Sequence, residues 1–358
     1  MLQFISRRLF LLIPVMIGIV FITFGIVRAI PGNPCVTMLG ERATPEKCQL
    51  YMERFGLNEH WIIQFGRYLG NMAQGDFGTS IKFSRPVVDI IAERLPLTIE
   101  LTLCAMIFST LFGVLLGVVS ALKRNSLIDT LTMILANIGV SMPVFWLGLI
   151  LAYVFALLLK DTPFYIPPSG RFSAGLTLMS FSKFWGLTDV SGFPKFALSF
   201  ISNLLLPNAI ITGNWKAVKD GLWHLILPSI AVGTIPMAVI ARMTRSSLLE
   251  VLGLDYIRTA RAKGLIEQLV ITKHAMRNAM IPIVTIIGIE TGSLLSGAVL
   301  TETVFALPGV GTQLIGAILA RDYPVVQGFT LVIAMIFVLA NLLVDLSYAY
   351  LDPRIRVD

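Results

Sequence analysis

Hydrophobic residues in this chain collect into six long stretches, which are separated by polar and charged segments. Each stretch is long enough to cross the apolar core of a bilayer as an α-helix, which takes about 20 residues. The six predicted spans cover residues 9–27, 97–122, 131–159, 223–241, 279–301 and 325–344. A transmembrane β-barrel would instead show short strands of alternating polarity. The pattern therefore predicts an all-α membrane protein with six transmembrane helices.

The composition supports an integral membrane protein. Hydrophobic residues make up 56% of the 358 residues and charged residues 14%, and the mean hydropathy is +0.81. An ordinary soluble domain has roughly 25% charged residues. The formal net charge is +7, and most of the cations lie at a predicted membrane boundary, where anionic lipid headgroups attract them. Nucleic acid is therefore not an expected partner.

Basic residues next to the spans predict the orientation. Four pairs of cations flank the spans. If six helices alternate in direction, all four pairs lie on the same side of the membrane. The positive-inside rule assigns that side to the cytoplasm. Both termini are then cytoplasmic. The first apolar run is longer than a signal-peptide core and no small-residue cleavage site follows it, so it is expected to be an uncleaved span. The four pairs are Arg7 and Arg8, Lys123 and Arg124, Arg242 and Arg245, and Arg354 and Arg356.

Between the first two spans, residues 31–96 are predicted to form a helical outer subdomain. Thr44 can cap a helix that has Pro45 at its first position and Gly56 just past its end. A second amphipathic helix follows and is expected to lie along the membrane surface or on the helix before it. The predicted division is residues 1–30 for the N-terminus and first helix, 31–96 for this subdomain and 97–358 for the core, whose outer loop 160–222 supports at most short helices.

Three cysteines have different expected roles. Cys35 and Cys48 lie just outside the first span, on the side assigned to an oxidising periplasm. A disulfide between them would pin the helix that starts at Pro45 to the end of that span, provided that their Cα atoms come within about 7 Å. Two free thiols are the alternative. Cys104 lies inside the second span and is expected to be a small packing residue.

Two acidic residues, Glu100 and Glu290, lie inside predicted spans. An ionised carboxylate near the middle of a bilayer costs about 2.5–3.5 kcal/mol unless it faces water or a partner. Glu290 is therefore predicted to line a water-accessible pathway. Gly113 and Gly117 form a GxxxG pair, for which close helix packing is the expected role and a gating contact the alternative.

The segment 255–282 is charged and contains a glycine, so it must leave the membrane between the fourth and fifth spans. A short helix here would show one apolar and one basic side, which is typical of a docking element. The residues predicted to make this contact are Asp255, Tyr256, Arg258, Thr259, Ala260, Arg261, Lys263 and Gly264.

Several motifs carry a family resemblance: RTARAKG at 258–264, HAMRNAMIP at 274–282, GDFGTS at 75–80 and RDYPVVQG at 321–328. They resemble permeases of ATP-binding-cassette importers, in the dipeptide and oligopeptide branch. The resemblance covers nearly the whole chain and implies the type I importer permease fold in a bacterial inner membrane. It also implies that residues 244–279 form the segment coupling transport to the ATPase. At position 290 the resemblance leads us to expect a neutral amide, so Glu290 is a departure.

The resemblance also implies the partners. They are a homologous second permease, two nucleotide-binding ATPase subunits, a periplasmic solute-binding protein and a peptide substrate. ATP and Mg would be bound by the partner subunits, and this chain would bind no cofactor. The sequence agrees, because it has no GxxxxGK[ST] phosphate-binding loop, and it has neither a GxSxG nor an HExxH motif.

Other functions stay open at this point. A permease of the same family could import oligopeptides, haem precursors or nickel. A proton-coupled secondary transporter could use Glu290, although the spans show no inverted repeat of broken helices. A structural or assembly membrane protein would have no pore of its own.

Overall fold

The computed structural model describes residues 2–29, 35–36, 40, 43–54, 58–187, 190, 192–297 and 299–351. Helices dominate these residues, and their only extended pairing is one isolated bridge between Thr79 and Pro86. The predicted all-α fold is confirmed. The predicted C-cap Gly56 and the cations Arg354 and Arg356 lie outside the described residues.

Sixteen α-helices and two π-helical segments follow one another along the described chain. The π-helical segments are Tyr153–Leu158, directly after α6, and Val270–Ala275, directly after α12. The helices are α1 (Leu2–Ala29), α2 (Pro45–Arg54), α3 (Trp61–Ala73), α4 (Val87–Leu122), α5 (Leu127–Ser141), α6 (Val144–Ala152), α7 (Phe181–Phe184), α8 (Phe193–Asn203), α9 (Leu205–Ile211), α10 (Trp215–Leu252), α11 (Asp255–Ala262), α12 (Glu267–Leu269), α13 (Met276–Gly297), α14 (Val299–Val304), α15 (Val310–Leu319) and α16 (Tyr323–Leu351).

All six predicted spans fall largely on helices, but not all are single straight ones. Among the described residues, three helical stretches are long and apolar enough to cross a membrane: Val87–Leu122, Trp215–Leu252 and Tyr323–Leu342. Two bent helix pairs raise this number to five if each pair is one span. The first and fifth predicted spans lie on α1 and α13, and α1 contains the shorter apolar stretch Ile13–Ile26.

The structure differs most from the prediction at the third span. Instead of one helix over 131–159, α5 and the stretch Val144–Leu158 meet at 103°. Met142 between them is extended, with φ −99° and ψ 135°. The Pro143 ring disfavours the helical region for the residue before it, and Pro143 has no N–H to donate. The outer loop 160–222 contains short helices, as predicted, and its α8 and α9 form the second bent pair, at 91°.

Helices α4 and α10 pack closely at the GxxxG pair. A Cβ atom built on Gly113 would lie 2.8 Å from the carbonyl oxygen of Met237, and one on Gly117 would lie 2.6 Å from that of Ala241. Only glycine permits the two backbones to come so near. The packing role predicted for the GxxxG pair is confirmed.

The outer subdomain is attached to α1. The hydroxyl of Thr44 accepts a hydrogen bond from the Lys47 N–H at 3.4 Å, which confirms the predicted cap of α2. Helix α3 packs its aromatic face on α1, where the ring centroid of Phe65 lies 5.4 Å from that of Phe21 and 5.3 Å from that of Phe24. The aromatic face of α3 therefore packs on α1.

Cys35 and Cys48 are joined as a disulfide in the structure, with their Cα atoms 5.3 Å apart. This separation lies within the usual range for a disulfide. The bond links the chain just beyond α1 to the first turn of α2.

We expect the two cysteines to resist alkylation until the protein is reduced. If free thiols are blocked in denaturant before reduction, mass spectrometry should find Cys104 alkylated and the other two unmodified. Cys104 serves as the internal control because it is a free thiol. Opening a loop with a sequence separation of 13 should also lower the unfolding free energy by about 3 kcal/mol. Alkylation of Cys35 and Cys48 without reduction would refute the bond.

Candidate functional site: the docking helix and the intramembrane carboxylates

Helix α11 is amphipathic. One side is buried against the rest of the chain and the other side is exposed. Ile257 is fully buried and Ala260 is 8% exposed, and both belong to a hydrophobic cluster that includes Val270 and Ala275. The other residues of the predicted contact are exposed. They are Asp255, Tyr256, Arg258, Thr259, Arg261, Lys263 and Gly264.

Gly264 ends the helix through its backbone conformation. Its φ is +76°, in the left-handed region that favours glycine. The Gly264 N–H donates to the carbonyl of Arg261 at 2.9 Å and the Leu265 N–H to that of Ala260 at 3.4 Å, a pair of bonds that defines the Schellman motif. No described atom lies within 4 Å of a Cβ built on Gly264. A larger residue would therefore strain the backbone and project into the open space beside α11.

Arg261 braces the turn that follows α11. Its Nε lies 3.1 Å from Oε2 of Glu267, and its Nη2 lies 2.6 Å from Oε1. This two-pronged contact lowers the pKa of the Glu267 carboxyl and raises that of Arg261. Because the carboxyl pKa is lowered in the folded chain, the brace persists above the ordinary glutamate pKa of about 4.3 and weakens only as the pH falls below it.

Ion pairs within the segment involve two of the three cations on the basic side that the sequence predicted for α11. Arg261 is neutralised by Glu267 within the segment, and Arg258 lies 3.3 Å from Asp255 in a largely exposed pair that stabilises little. Lys263 is exposed and has no ion-pair partner among the described residues.

A hydrogen-bond link joins α11 to α13. The hydroxyl of Tyr256 accepts from Nδ2 of Asn278 at 2.7 Å and donates to the carbonyl of His274 at 3.3 Å. Asn278 lies in the first turn of α13, the helix that also carries Glu290. These two bonds hold α11 against the start of α13 and the π-helical segment before it.

The intramembrane carboxylate Glu100 has a full set of partners. Its side chain is 4% exposed, and its Oε2 lies 2.8 Å from Nη2 of Arg171. Its Oε1 accepts from the N–H of Leu206 at 2.7 Å. The ion pair with Arg171 joins the outer loop to α4. The bond from the Leu206 N–H caps the first turn of α9. No local pattern points to Arg171, 71 residues away.

Glu290 has different surroundings. It is partly exposed on α13, and no described residue gives it a hydrogen bond or an ion pair. An ionised carboxylate without a partner is costly in hydrocarbon. An ionised Glu290 would therefore need water or another subunit beside it.

Three further buried carboxylates were missed by sequence reasoning: Asp129, Glu302 and Asp322. Asp129 accepts from Nε and Nη2 of Arg245 at 2.9 and 2.8 Å. Glu302 accepts from Thr98 Oγ1 at 2.6 Å and from the N–H groups of Gly311 and Thr312 at 2.8 and 3.1 Å, at the start of α15. Asp322 accepts from the N–H groups of Ile81 and Lys82 at 3.0 and 3.1 Å. Glu302 and Asp322 join segments more than 200 residues apart. The signal for Glu302 was an acidic residue within an apolar stretch, whereas Asp322 follows Arg321 and has no such signal.

Comparison with known proteins covers almost all of the chain. Residues 113–357 match the family described as binding-protein-dependent transport system inner membrane component, and residues 1–102 match its N-terminal companion family. The dipeptide transport system permease protein DppB of Alkalihalophilus pseudofirmus is 48% identical over 99% of this chain and 100% of its own. DppB of Escherichia coli K12 and the di/tripeptide permease DppB of Pseudomonas aeruginosa are each 45% identical over 99% of both chains.

The fold agrees with these matches. The described residues are largely helical and include helices long and apolar enough to cross a membrane, as expected of an inner membrane component. The chain belongs to the family of binding-protein-dependent transport system inner membrane components.

Proposed function

We propose that this chain is the transmembrane permease subunit of an ATP-driven importer of dipeptides or short peptides, and that it forms half of the translocation pathway. The observation that carries the proposal is α11, which packs Ile257 and Ala260 in a buried cluster with Val270 and Ala275, bonds to Asn278 of α13 and exposes its polar side. The printed names of the full-length relatives support the substrate class. The sequence has no GxxxxGK[ST] phosphate-binding loop, which supports ATP hydrolysis by other subunits.

The proposed assembly contains a homologous second permease, two nucleotide-binding subunits that hold ATP and Mg, and a periplasmic solute-binding protein. Both termini of this chain lie in the cytoplasm. When the nucleotide-binding subunits close, they move α11, and the Tyr256–Asn278 contact carries the motion to α13. The two permeases then alternate between inward-facing and outward-facing states by rigid-body motion.

The proposal is tested by reconstitution. Proteoliposomes that hold this chain with the second permease and the ATPase subunits should take up a labelled dipeptide only when ATP and the solute-binding protein are present, and vanadate should stop the uptake. Liposomes without this chain are the control, and nickel and a haem precursor are the competing substrates. Uptake driven by a proton gradient without ATP would overturn the proposal in favour of a secondary transporter.

We expect Glu290 to face the pathway. In a Cys104→Ala background, Glu290→Cys should react with a membrane-impermeant thiol reagent in at least one nucleotide state. Ile283→Cys is the matched control on the same helix, because Ile283 is fully buried. Resistance of position 290 in every state would contradict the assignment. A wild-type transport rate in Glu290→Gln would show that the carboxylate is accessible to water but dispensable.

A further inference from the structure

Two of the sequence motifs, GDFGTS at 75–80 and RDYPVVQG at 321–328, meet in the structure through one carboxylate. Asp322 is fully buried. Its side chain accepts from the hydroxyl of Ser80 and from the N–H groups of Ile81 and Lys82, the latter two at 3.0 and 3.1 Å. The mechanism above gives this contact no role.

The contact lies at the end of the molecule opposite to α11. Helices α4 and α10 run parallel, because Gly113 packs against Met237 and Gly117, one turn later, packs against Ala241. Residues 79–86, named here the outer turn, lead into the start of α4, whereas α10 ends beside α11. If α11 meets the ATPase in the cytoplasm, the outer turn lies on the other side of the membrane.

The outer turn is also fixed by bonds of its own. An antiparallel bridge joins Thr79 to Pro86, and the Phe83 N–H donates to Oγ of Ser80 at 3.0 Å. Ser84 at the tip has a φ of +52°, a conformation that residues other than glycine rarely adopt. Strained backbone of this kind clusters at functional sites, where the surrounding structure holds it in place. The tip is therefore a preformed surface.

The tip exposes an aromatic ring and positive charge. Phe83 is 41% exposed, and Nζ of Lys82 lies 5.4 Å from the centre of its ring. Arg321, which precedes the carboxylate that holds the turn, is exposed as well. The described residues offer neither Lys82 nor Arg321 an ion pair, whereas Arg85 is paired with Glu93 at 2.6 Å. The outer turn contains no acidic residue, so its complement is an acidic surface with an apolar pocket.

The family indicates which partner can supply that surface. Its members depend on a binding protein, and a soluble binding protein reaches only those parts of a permease that lie outside the membrane. Aromatic residues and arginine are enriched at protein interfaces. Anionic lipid headgroups would be attracted by the cations alone, and they need neither the ring nor a turn held in one strained conformation. The combination therefore favours a protein partner over lipid.

We propose that the outer turn, with Lys82 and Phe83 at its tip and Arg321 beside it, is a docking surface for an acidic patch of the solute-binding protein. Phe83 fills an apolar pocket within that patch, and the two cations pair with the carboxylates around it. The inference rests on the proposed function, which requires a binding protein on the side opposite to α11.

The test measures how tightly a fluorescently labelled solute-binding protein binds the assembled importer in lipid nanodiscs. Lys82→Glu combined with Phe83→Ala should weaken binding about tenfold or more, since aromatic anchors at the centre of an interface carry much of its affinity. Uptake should recover as the binding-protein concentration is raised, because mass action overcomes a docking defect. Gly264→Asp, which changes the opposite end of the molecule, should not recover in this way.

Both replaced side chains are exposed, so the double variant should fold. The matched control is Lys160→Glu with Phe164→Ala, which makes the same two changes at exposed positions of the loop 160–222. The control should bind as the wild type does. Unchanged binding in the double variant of the outer turn, or an equal loss in the control, would overturn the inference.

A photoreactive benzoylphenylalanine in place of Phe83 identifies what meets the turn. A cross-link to the solute-binding protein supports the proposal, whereas cross-links only to the second permease or only to lipid would overturn it. If the wild-type importer takes up dipeptide while position 83 never cross-links to the binding protein, the inference fails and the proposed function stands. If the wild-type importer takes up no peptide at all, the proposed function fails, and the inference fails with it.

Discussion

Replacement of Gly264 by aspartate is expected to abolish ATP-driven uptake and to leave the chain inserted in the membrane. The backbone φ of +76° makes any side chain there costly, by roughly 1–2 kcal/mol. The space beyond the position is open within this chain, so an added carboxylate meets the partner that docks on α11. Uptake, substrate-stimulated ATP turnover and copurification of the ATPase subunits measure the effect.

Gly264→Ala is the matched control, because it introduces the backbone strain without the charge and most of the bulk. A smaller loss of uptake in this variant than in Gly264→Asp would place most of the effect at the interface. Normal uptake and normal stimulated ATP turnover in Gly264→Asp would contradict the assignment of α11 as the coupling helix.

Arg261→Glu should also abolish uptake, because it sets two carboxylates against each other across the turn. The charge-swapped variant Arg261→Glu with Glu267→Arg separates two roles for this residue. Recovery of uptake in the swapped variant would identify Arg261 as a positioning residue that braces the turn. Failure to recover, with α11 intact, would identify a direct contact with the ATPase. Uptake at the wild-type rate in the single variant would remove Arg261 from coupling altogether.

A large loss of stability is expected when the buried ion pair between Arg171 and Glu100 is broken. Arg171→Leu should lower the unfolding free energy by about 3–5 kcal/mol, because it leaves the Glu100 carboxylate buried without its cation. Thermal unfolding of the purified chain measures the loss. Adding Glu100→Gln to the Arg171→Leu variant should restore much of the stability, since it removes the unpaired charge.

The control for this experiment is the exposed pair between Arg67 and Glu59, whose side chains are 51% and 37% exposed. Arg67→Leu should cost no more than about 1 kcal/mol, because exposed ion pairs stabilise little. An Arg171→Leu variant as stable as the wild type would show that Glu100 is protonated or solvated. The ion pair would then not be what holds the outer loop to α4.

Features that depend on neighbouring residues were determined by the sequence alone. Apolar runs of sufficient length predicted the spans, because burial in a bilayer selects hydropathy over about 20 residues. The turn at Gly264 and the cap at Thr44 were also readable, since each is decided within a few residues. The break at Pro143 has a local cause too, yet the continuous hydropathy of 131–159 concealed it.

Only the tertiary structure decided which distant groups meet. Glu100 and Glu290 are equivalent as intramembrane acids in the sequence, but packing brings Arg171 and the Leu206 N–H to the first, and no described partner to the second. The contacts of Glu302 with Thr98 and of Asp322 with the N–H of Ile81 are likewise invisible in the sequence. Hydropathy and turn preference depend on neighbouring residues. Contacts between distant side chains depend on how the helices pack and where the loops lie, which no single segment of the sequence specifies.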